Sequence, residues 1–199
     1  MTTETADSIA STRRGEERRR QIVEAAAAIV SEEGPGAVTH RSVAARAGCS
    51  LSATTYYFSG LEDLLGRAGE LNISRWASRA ERVAETVETL SGPISTDAAI
   101  GHLLNATLPR DVSLSGHYAG LIHAGSSVPI SRAYRTGRSR LNSAVGRVLA
   151  HLGIGVPPEL VISIVDGAAV SALSEGRDVR ETASALLHQL AEKLAGTRR

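Results

Sequence analysis

Apolar positions along the chain recur at helical spacing, and no stretch alternates convincingly between paired turn signals as a strand would. Ile22, Ala26 and Val30 fall at i, i+4 and i+8 with Val23 and Ala27 beside them. This spacing predicts an amphipathic helix of about 16 residues starting near Arg18, which Gly34 and Pro35 stop. Thr39 is placed to N-cap a short second helix whose inward residues are Val43, Ala44 and Ala47, and Gly48 suits the left-handed position that ends it. Ser50 or Ser52 caps a third short helix running to Phe58, the one Phe of the chain and the natural plug for a small three-helix core. Residues 1–12 carry no helical period and are expected as a disordered arm.

Beyond Gly60 the period continues through Leu64, Leu65, Ala68, Leu71 and Ile73, and then through the more charged Arg75–Glu88, up to Ser91-Gly92-Pro93. Later breaks at Pro109, Gly125 to Pro129, Gly153 to Pro158 and Gly176 delimit helices near 95–108, 114–124, 130–152, 158–175 and 179–196. The expected fold is all-α, with about nine helices. A three-helix unit over 13–65 is joined by a long fourth helix to a helical body over 66–197. The sixth helix is the weakest, because Gly116, Gly120 and Gly125 fall within or beside it. The last two helices carry wide apolar faces, from which Leu160, Ile164, Ala168, Ala172, Leu186 and Leu190 are candidates for contact with a second copy. Those faces fit an intrachain core as well.

Composition narrows the classes. A single cysteine, Cys49, excludes an internal disulfide and a cysteine-based metal cluster. No apolar run reaches the roughly 20 residues of a membrane span, and the first residues lack a signal-peptide apolar stretch, so a cytoplasmic location is expected. No P-loop, G-x-S-x-G, H-E-x-x-H or G-x-G-x-x-G occurs, so an enzyme and a cofactor are not expected. The histidines lack close pairing with carboxylates, so no metal site is expected either. Net charge is only +1, yet no acid lies between Gly36 and Gly60, and Arg13, Arg14, Arg18, Arg19 and Arg20 crowd the preceding segment. That distribution suits contact with phosphate; a basic solvated face explains it equally.

A helix, a glycine-containing turn and a second short helix, supported by a preceding helix, form the geometry that places a recognition helix in a major groove. Residue identities make the pattern specific. Arg19-x-x-Ile22-Val23-x-Ala25-Ala26, Gly34, Thr39, Val43-Ala44-x-x-Ala47-Gly48-x-Ser50, Tyr57-Phe58 and Leu64-Leu65 follow one another without a gap. This run resembles the N-terminal segment of the TetR/AcrR family of bacterial regulators. The stretch Asp166-Gly167-Ala168-Ala169 to Gly176 is also similar to the penultimate helix of family members. The resemblance implies a homodimer that binds a palindromic operator in double-stranded DNA, commonly as a repressor, with a small-molecule effector pocket in the body. An effector-independent, architectural DNA-binding dimer is the competing reading.

By position in that pattern and by chemistry, Thr39, Ser50 and Tyr57 are expected at the DNA backbone, with Arg41, Arg14 and Arg18 as phosphate clamps. Leu51, Ser52, Ala53, Thr54 and Tyr56 are candidates for base edges. Thr55 stands where the family usually has Tyr, and Leu61 where it usually has Lys or Arg. Thr55 keeps a hydroxyl for phosphate, whereas Leu61 is expected to pack. Trp76, His102, Asn105, Tyr118, His123, Tyr134 and Asp166 are candidate effector contacts, each also explicable as structure. Finally, Val112 to Pro158 contains no acid but has Arg132, Arg135, Arg138, Arg140 and Arg147. A solvated helix face, an anionic effector site and a partner surface all fit that stretch.

Overall fold

The computed structural model describes residues 3–110 and 112–197. In chain order the described residues form α1 (Thr3–Glu33), α2 (His40–Arg46), α3 (Leu51–Tyr57), α4 (Leu61–Glu88), α5 (Thr96–Thr107), α6 (Leu114–His123), α7 (Val128–His151), α8 (Pro158–Glu175) and α9 (Val179–Thr197). Single tight turns at Pro35–Ala37 and Ala124–Ser126 interrupt them, and no strand occurs among the described residues. The helix boundaries fall where Gly, Pro and capping residues put them.

One boundary moves. Helix α1 begins at Thr3, so residues 3–12, expected as a disordered arm, continue it toward the N-terminus. The apolar period reports only the packed face of a helix. Extending an existing helix costs far less than nucleating one, and no Gly or Pro interrupts the chain before Gly15.

The chain divides into two units. The first comprises residues up to Asn72 together with Ala119–Tyr134. Its core packs Ile22, Ala26 and Val30 of α1 with Val43 of α2, Phe58, Leu64 and Ala68 of α4, and Ile130 of α7. Sequence reasoning put a boundary after Leu65; the core of this unit also takes in Ala68 of α4 and Ile130 of α7. At Gly69 an added Cβ would stand 3.0 Å from the Cβ of Ala133, so α4 and α7 approach closely. Asn72, 3% exposed, donates from Nδ2 to the Ala27 carbonyl at 3.1 Å.

The second unit takes Ile73–Tyr118 and the residues from Arg135 onward. Val161, Val165, Ala168, Ala169 and Ala172 of α8 are buried, as are Val179, Ala183 and Leu187 of α9. Ala168 and Ala172, expected toward a second copy, are therefore spent on the intrachain core, where small side chains let α8 and α9 approach. Leu160, Val170 and Leu186 remain outward at 42%, 42% and 38% exposure. Gly176, at φ 67°, takes the left-handed C-cap that ends α8. Helix α7 is tied to α4 by two arginines. Arg140 donates to Glu81 from Nε at 2.6 Å and from Nη2 at 2.5 Å. Arg147 donates to Glu88 from Nε at 2.9 Å and from Nη2 at 2.6 Å.

Gly120, which weakens α6 as an isolated helix, has a packing reason. A Cβ there would stand 2.8 Å from the Val30 carbonyl oxygen and 3.4 Å from the Cα of Ser31. Gly101 in α5 has open space instead. Gly120→Ala should therefore destabilise the protein by about 1–3 kcal/mol, the usual cost of overpacking. Gly101→Ala should stabilise it by up to about 1 kcal/mol through helix propensity. Urea unfolding of the two variants checks the opposite signs.

Candidate nucleic-acid interface

Helices α2 and α3 have seven residues each and are set by local chemistry at their ends. Thr39 caps α2 by accepting from Ser42 N at 3.0 Å, while Ser42 Oγ accepts from Thr39 N at 2.9 Å, which closes a capping box. Gly48 adopts φ 59°, the left-handed position a residue with a Cβ resists, and turns the chain out of α2. Ser50 then caps α3 by accepting from Ala53 N at 3.2 Å. Beneath the two helices lie Val43, Ala44 and Phe58, with Ala47, Cys49, Ala53 and Tyr57 partly buried around them.

Thr54 belongs to this underside. Expected as a base reader, it is fully buried. Its hydroxyl donates to the Leu51 carbonyl at 2.7 Å and lies 3.1 Å from Nδ1 of His40. With its one hydrogen committed to Leu51, the hydroxyl is an acceptor toward His40, whose Nδ1–H donates. The bond ties α3 to the start of α2.

Fixing Thr54 inside fixes what lies outside. Leu51, Ser52, Thr55 and Tyr56, at i, i+1, i+4 and i+5, form one exposed face of α3, with Leu51 51% and Tyr56 83% exposed. Thr55 Oγ1 donates to the Ser52 carbonyl at 3.1 Å, and Ser50 and Ser52 hydroxyls lie 2.9 Å apart. The Tyr56 ring stands edge-on to Tyr57 at 5.0 Å. Tyr57 is half-buried, and its hydroxyl faces Gly15 of α1, where an added Cβ would stand 3.6 Å away. Leu61 packs against the core, as expected of a residue that replaces a phosphate contact.

The arginines separate into paired and unpaired ones. Arg46 bonds Glu32 and lies 3.6 Å from Glu33, and Arg20 lies 2.6 Å from Glu17. The acid-free stretch of sequence from Gly36 to Gly60 is thus partly neutralised by the end of α1. Arg19 stands over the Phe58 ring at 5.5 Å. Arg41 is exposed on α2, while Arg14 is exposed and Arg18 half-buried on α1.

The seven candidate effector residues do not come together. His123 and Tyr134 fall in the first unit, His123 exposed beside Gly34 and Tyr134 packed on the core. Burial pushes the Tyr134 phenol up to about 12. In the second unit Trp76 meets the buried His117 edge-on at 4.8 Å, and His117 meets Tyr118 at 5.0 Å. The Tyr118 hydroxyl donates to Asp166 Oδ1 at 3.1 Å, and burial raises the pKa of both groups. His102 and Asn105 line a separate cavity with Arg75, Arg79, Arg82 and Arg110. Sequence reasoning missed these four arginines, although Arg75, Arg79 and Arg82 stand at i, i+4 and i+7.

A capped helix-turn-helix with an exposed second helix, in an all-α chain, is the architecture that helix-turn-helix regulators present to a major groove. The profile of the family described as bacterial regulatory proteins, tetR family, matches residues 22–68, the segment that contains the helix-turn-helix. Among solved structures it is similar to a member of the TetR family from Streptomyces coelicolor A3, at 26% identity and TM-score 0.60, covering 87% of this chain and 98% of the other. It is also similar to the multidrug binding protein EbrR complexed with proflavin, at 26% identity and TM-score 0.59, covering 87% and 99%. A transcriptional regulator from Saccharomonospora viridis in complex with choline shares the fold at 17% identity and TM-score 0.68, covering 89% and 96%. No curated protein sequence matches the chain. Among the described residues no helix is long and apolar enough to cross a membrane.

Because Thr54 ties α3 to α2 from inside, Thr54→Val should lower stability by about 1 kcal/mol, the net worth of one buried hydrogen bond. It should leave DNA sequence preference unaltered. Denaturant unfolding and a binding-site selection check both halves; an altered preference would return Thr54 to the outward face.

Proposed function

We propose that this chain is a dimeric, ligand-responsive repressor that acts in the cytoplasm, binding a palindromic DNA operator and leaving it when a small molecule occupies the helical body. The observation that carries the reading is the exposed face of α3, formed by Leu51, Ser52, Thr55 and Tyr56 on a core that cannot rotate them inward. A major groove admits one α-helix, and this face offers it hydroxyls for permissive hydrogen bonds and apolar atoms for thymine methyls. No long bidentate reader stands on the face, so operator shape contributes to selection.

Thr39, Ser50 and Tyr57 act at the DNA backbone in this reading, and Arg41, Arg14 and Arg18 supply the phosphate contacts. Dimerisation falls to the outward residues of α8 and α9, with Leu160, Val170 and Leu186 as its apolar centre and Ile164 and Leu190 half-buried beside them. Two heads on a two-fold axis would then meet successive major grooves, roughly 34–36 Å apart.

Support for a ligand comes from the relatives solved with proflavin and with choline. Helix α4 contributes Leu64, Ala68 and Asn72 to the first unit and Arg75, Arg79 and Arg82 to the cavity of the second. A ligand that favours one position of α4 would bias DNA binding by the difference in its affinity for the two states.

Arg41 provides the test. Arg41→Ala should weaken binding to all duplexes alike and reduce the slope of log affinity against log salt by about 1, as loss of one phosphate contact requires. Salt titration of duplex binding for the wild type and the variant measures the slopes. Equal slopes would take Arg41 off the DNA.

A further inference from the structure

His40, the first residue of α2, is held through one ring nitrogen and open at the other. Its Nδ1 lies 3.1 Å from Thr54 Oγ1, and the single hydrogen of that hydroxyl is given to the Leu51 carbonyl at 2.7 Å. Nδ1 therefore carries a hydrogen, which fixes the neutral ring as the tautomer with a bare Nε2. The ring is half-buried, and Nε2 has no hydrogen-bond partner among the described residues. It is not one of the buried unpartnered atoms either, so it reaches solvent. In the neutral ring this nitrogen can only accept.

The bond to Thr54 sets the ring beside the first turn of α3, where Leu51 begins the outward face. Thr39 and Arg41, its neighbours in the chain, are both exposed. In helix-turn-helix docking the first helix of the pair crosses the DNA backbone while the second enters the groove, so a side chain at the start of α2 falls to the backbone. The elements packed on α2 bring little charge to this end. Helix α3 carries the phenols of Tyr56 and Tyr57 and no charged side chain, and the turn Pro35–Ala37 has no titratable group. From α1, Glu32 and Glu33 meet Arg46, in the last turn of α2. On α2 itself Arg41 is the charge next to His40.

From this geometry we infer that His40 is a DNA-backbone contact that takes up a proton on binding, with Nε2–H donating to a phosphate oxygen. The inference rests on the DNA-binding reading and adds to it a residue outside the set named there. A phosphate oxygen accepts and cannot donate, so against a bare Nε2 it would meet lone pair with lone pair. One proton drawn from the buffer per head makes Nε2 a donor and the ring a cation. Nδ1–H and its bond to Thr54 are the same before and after, so protonation asks for no movement of α2 against α3. The bond formed is charge-assisted. Histidine is the side chain whose charge ordinarily changes between about pH 5 and pH 8, and the contact is made or lost in that window. Because the complex favours the charged ring, the gain in affinity is present at the acid end and lost as pH rises.

The test is binding of the full chain to a random-sequence DNA duplex at about pH 6 and about pH 8, at constant ionic strength, for the wild type, His40→Asn and His40→Gln. Phosphate contacts form on any sequence, so no operator is needed. Asn sets an amide N–H near the place of Nδ1 and leaves nothing at Nε2; Gln sets an uncharged amide N–H near the place of Nε2. The wild type should bind about tenfold or more tightly at the lower pH, the worth of one charge-assisted hydrogen bond. Calorimetry in two buffers of different ionisation enthalpy should register proton uptake by the wild type, up to about one per head. In His40→Asn the ratio of the two affinities should fall about threefold or more, and the uptake with it. His40→Gln should lose the same pH dependence yet bind at the higher pH at least as tightly as the wild type, because its donor needs no proton. A role confined to holding Thr54 predicts the reverse, with Asn like the wild type and Gln impaired, and that result overturns the inference. Should one variant fail a thermal-unfolding check, the other carries the comparison, since both lack the titrating ring. Duplex binding of equal affinity at both pH values, or an unchanged pH ratio in the variants, overturns the inference and leaves the DNA-binding reading standing. Absence of duplex binding by the wild type at both pH values overturns that reading together with the inference.

Discussion

A helix of seven residues cannot hold itself together in water, because it closes too few hydrogen bonds to offset nucleation. Helices α2 and α3 therefore exist only as parts of the core beneath them. Val43, Ala44 and Phe58 supply the burial, the Thr39–Ser42 capping box and the Ser50 cap satisfy the open ends, and the bond between His40 and Thr54 holds one helix to the other. Each inward commitment is also an outward one. Once Thr54 and Phe58 are inside, Leu51, Ser52, Thr55 and Tyr56 are the residues that remain for a partner, and none of them carries charge. The exposed face of α3 is thus neutral, and the exposed arginines Arg14 and Arg41 stand on other helices.

Charge in the second unit follows the same logic of commitment. Exposed ion pairs such as Arg147–Glu88 contribute little to stability one by one. Glu81 and Glu88 hold Arg140 and Arg147 of α7 against α4, while Arg75, Arg79 and Arg82 of α4 line a cavity. A polar pair, buried Tyr118 with half-buried Asp166, lies elsewhere in the unit, where desolvation raises the carboxyl above its usual range.

Much of the fold was legible in the sequence because its boundaries rest on local physics. Gly34-Pro35, Thr39, Gly48, Ser50 and Gly176 act through their own backbone and nearest neighbours, and the structure uses each as expected. What was misread depends on partners far along the chain or on too short a pattern. Less than two full turns of α3 leave the inward stripe ambiguous, so Thr54 looked like a reader. Alanine fits a core and a subunit contact equally, so Ala168 and Ala172 were assigned outward. The start of α1 has no apolar period to betray it. His123 and Tyr134 join the first unit through long-range packing, and the arginine-lined cavity emerges only when α4 meets residues of α5 and Arg110.

The central claim is that the outward face of α3 reads DNA. Selection of bound duplexes from a random pool, run in parallel on the wild type and on Tyr56→Ala, tests it most directly. The account predicts that the wild type enriches an inverted repeat and that the variant changes or relaxes preference at the same position in each half-site. Enrichment of no sequence by the wild type, or an identical consensus from both proteins, would contradict it.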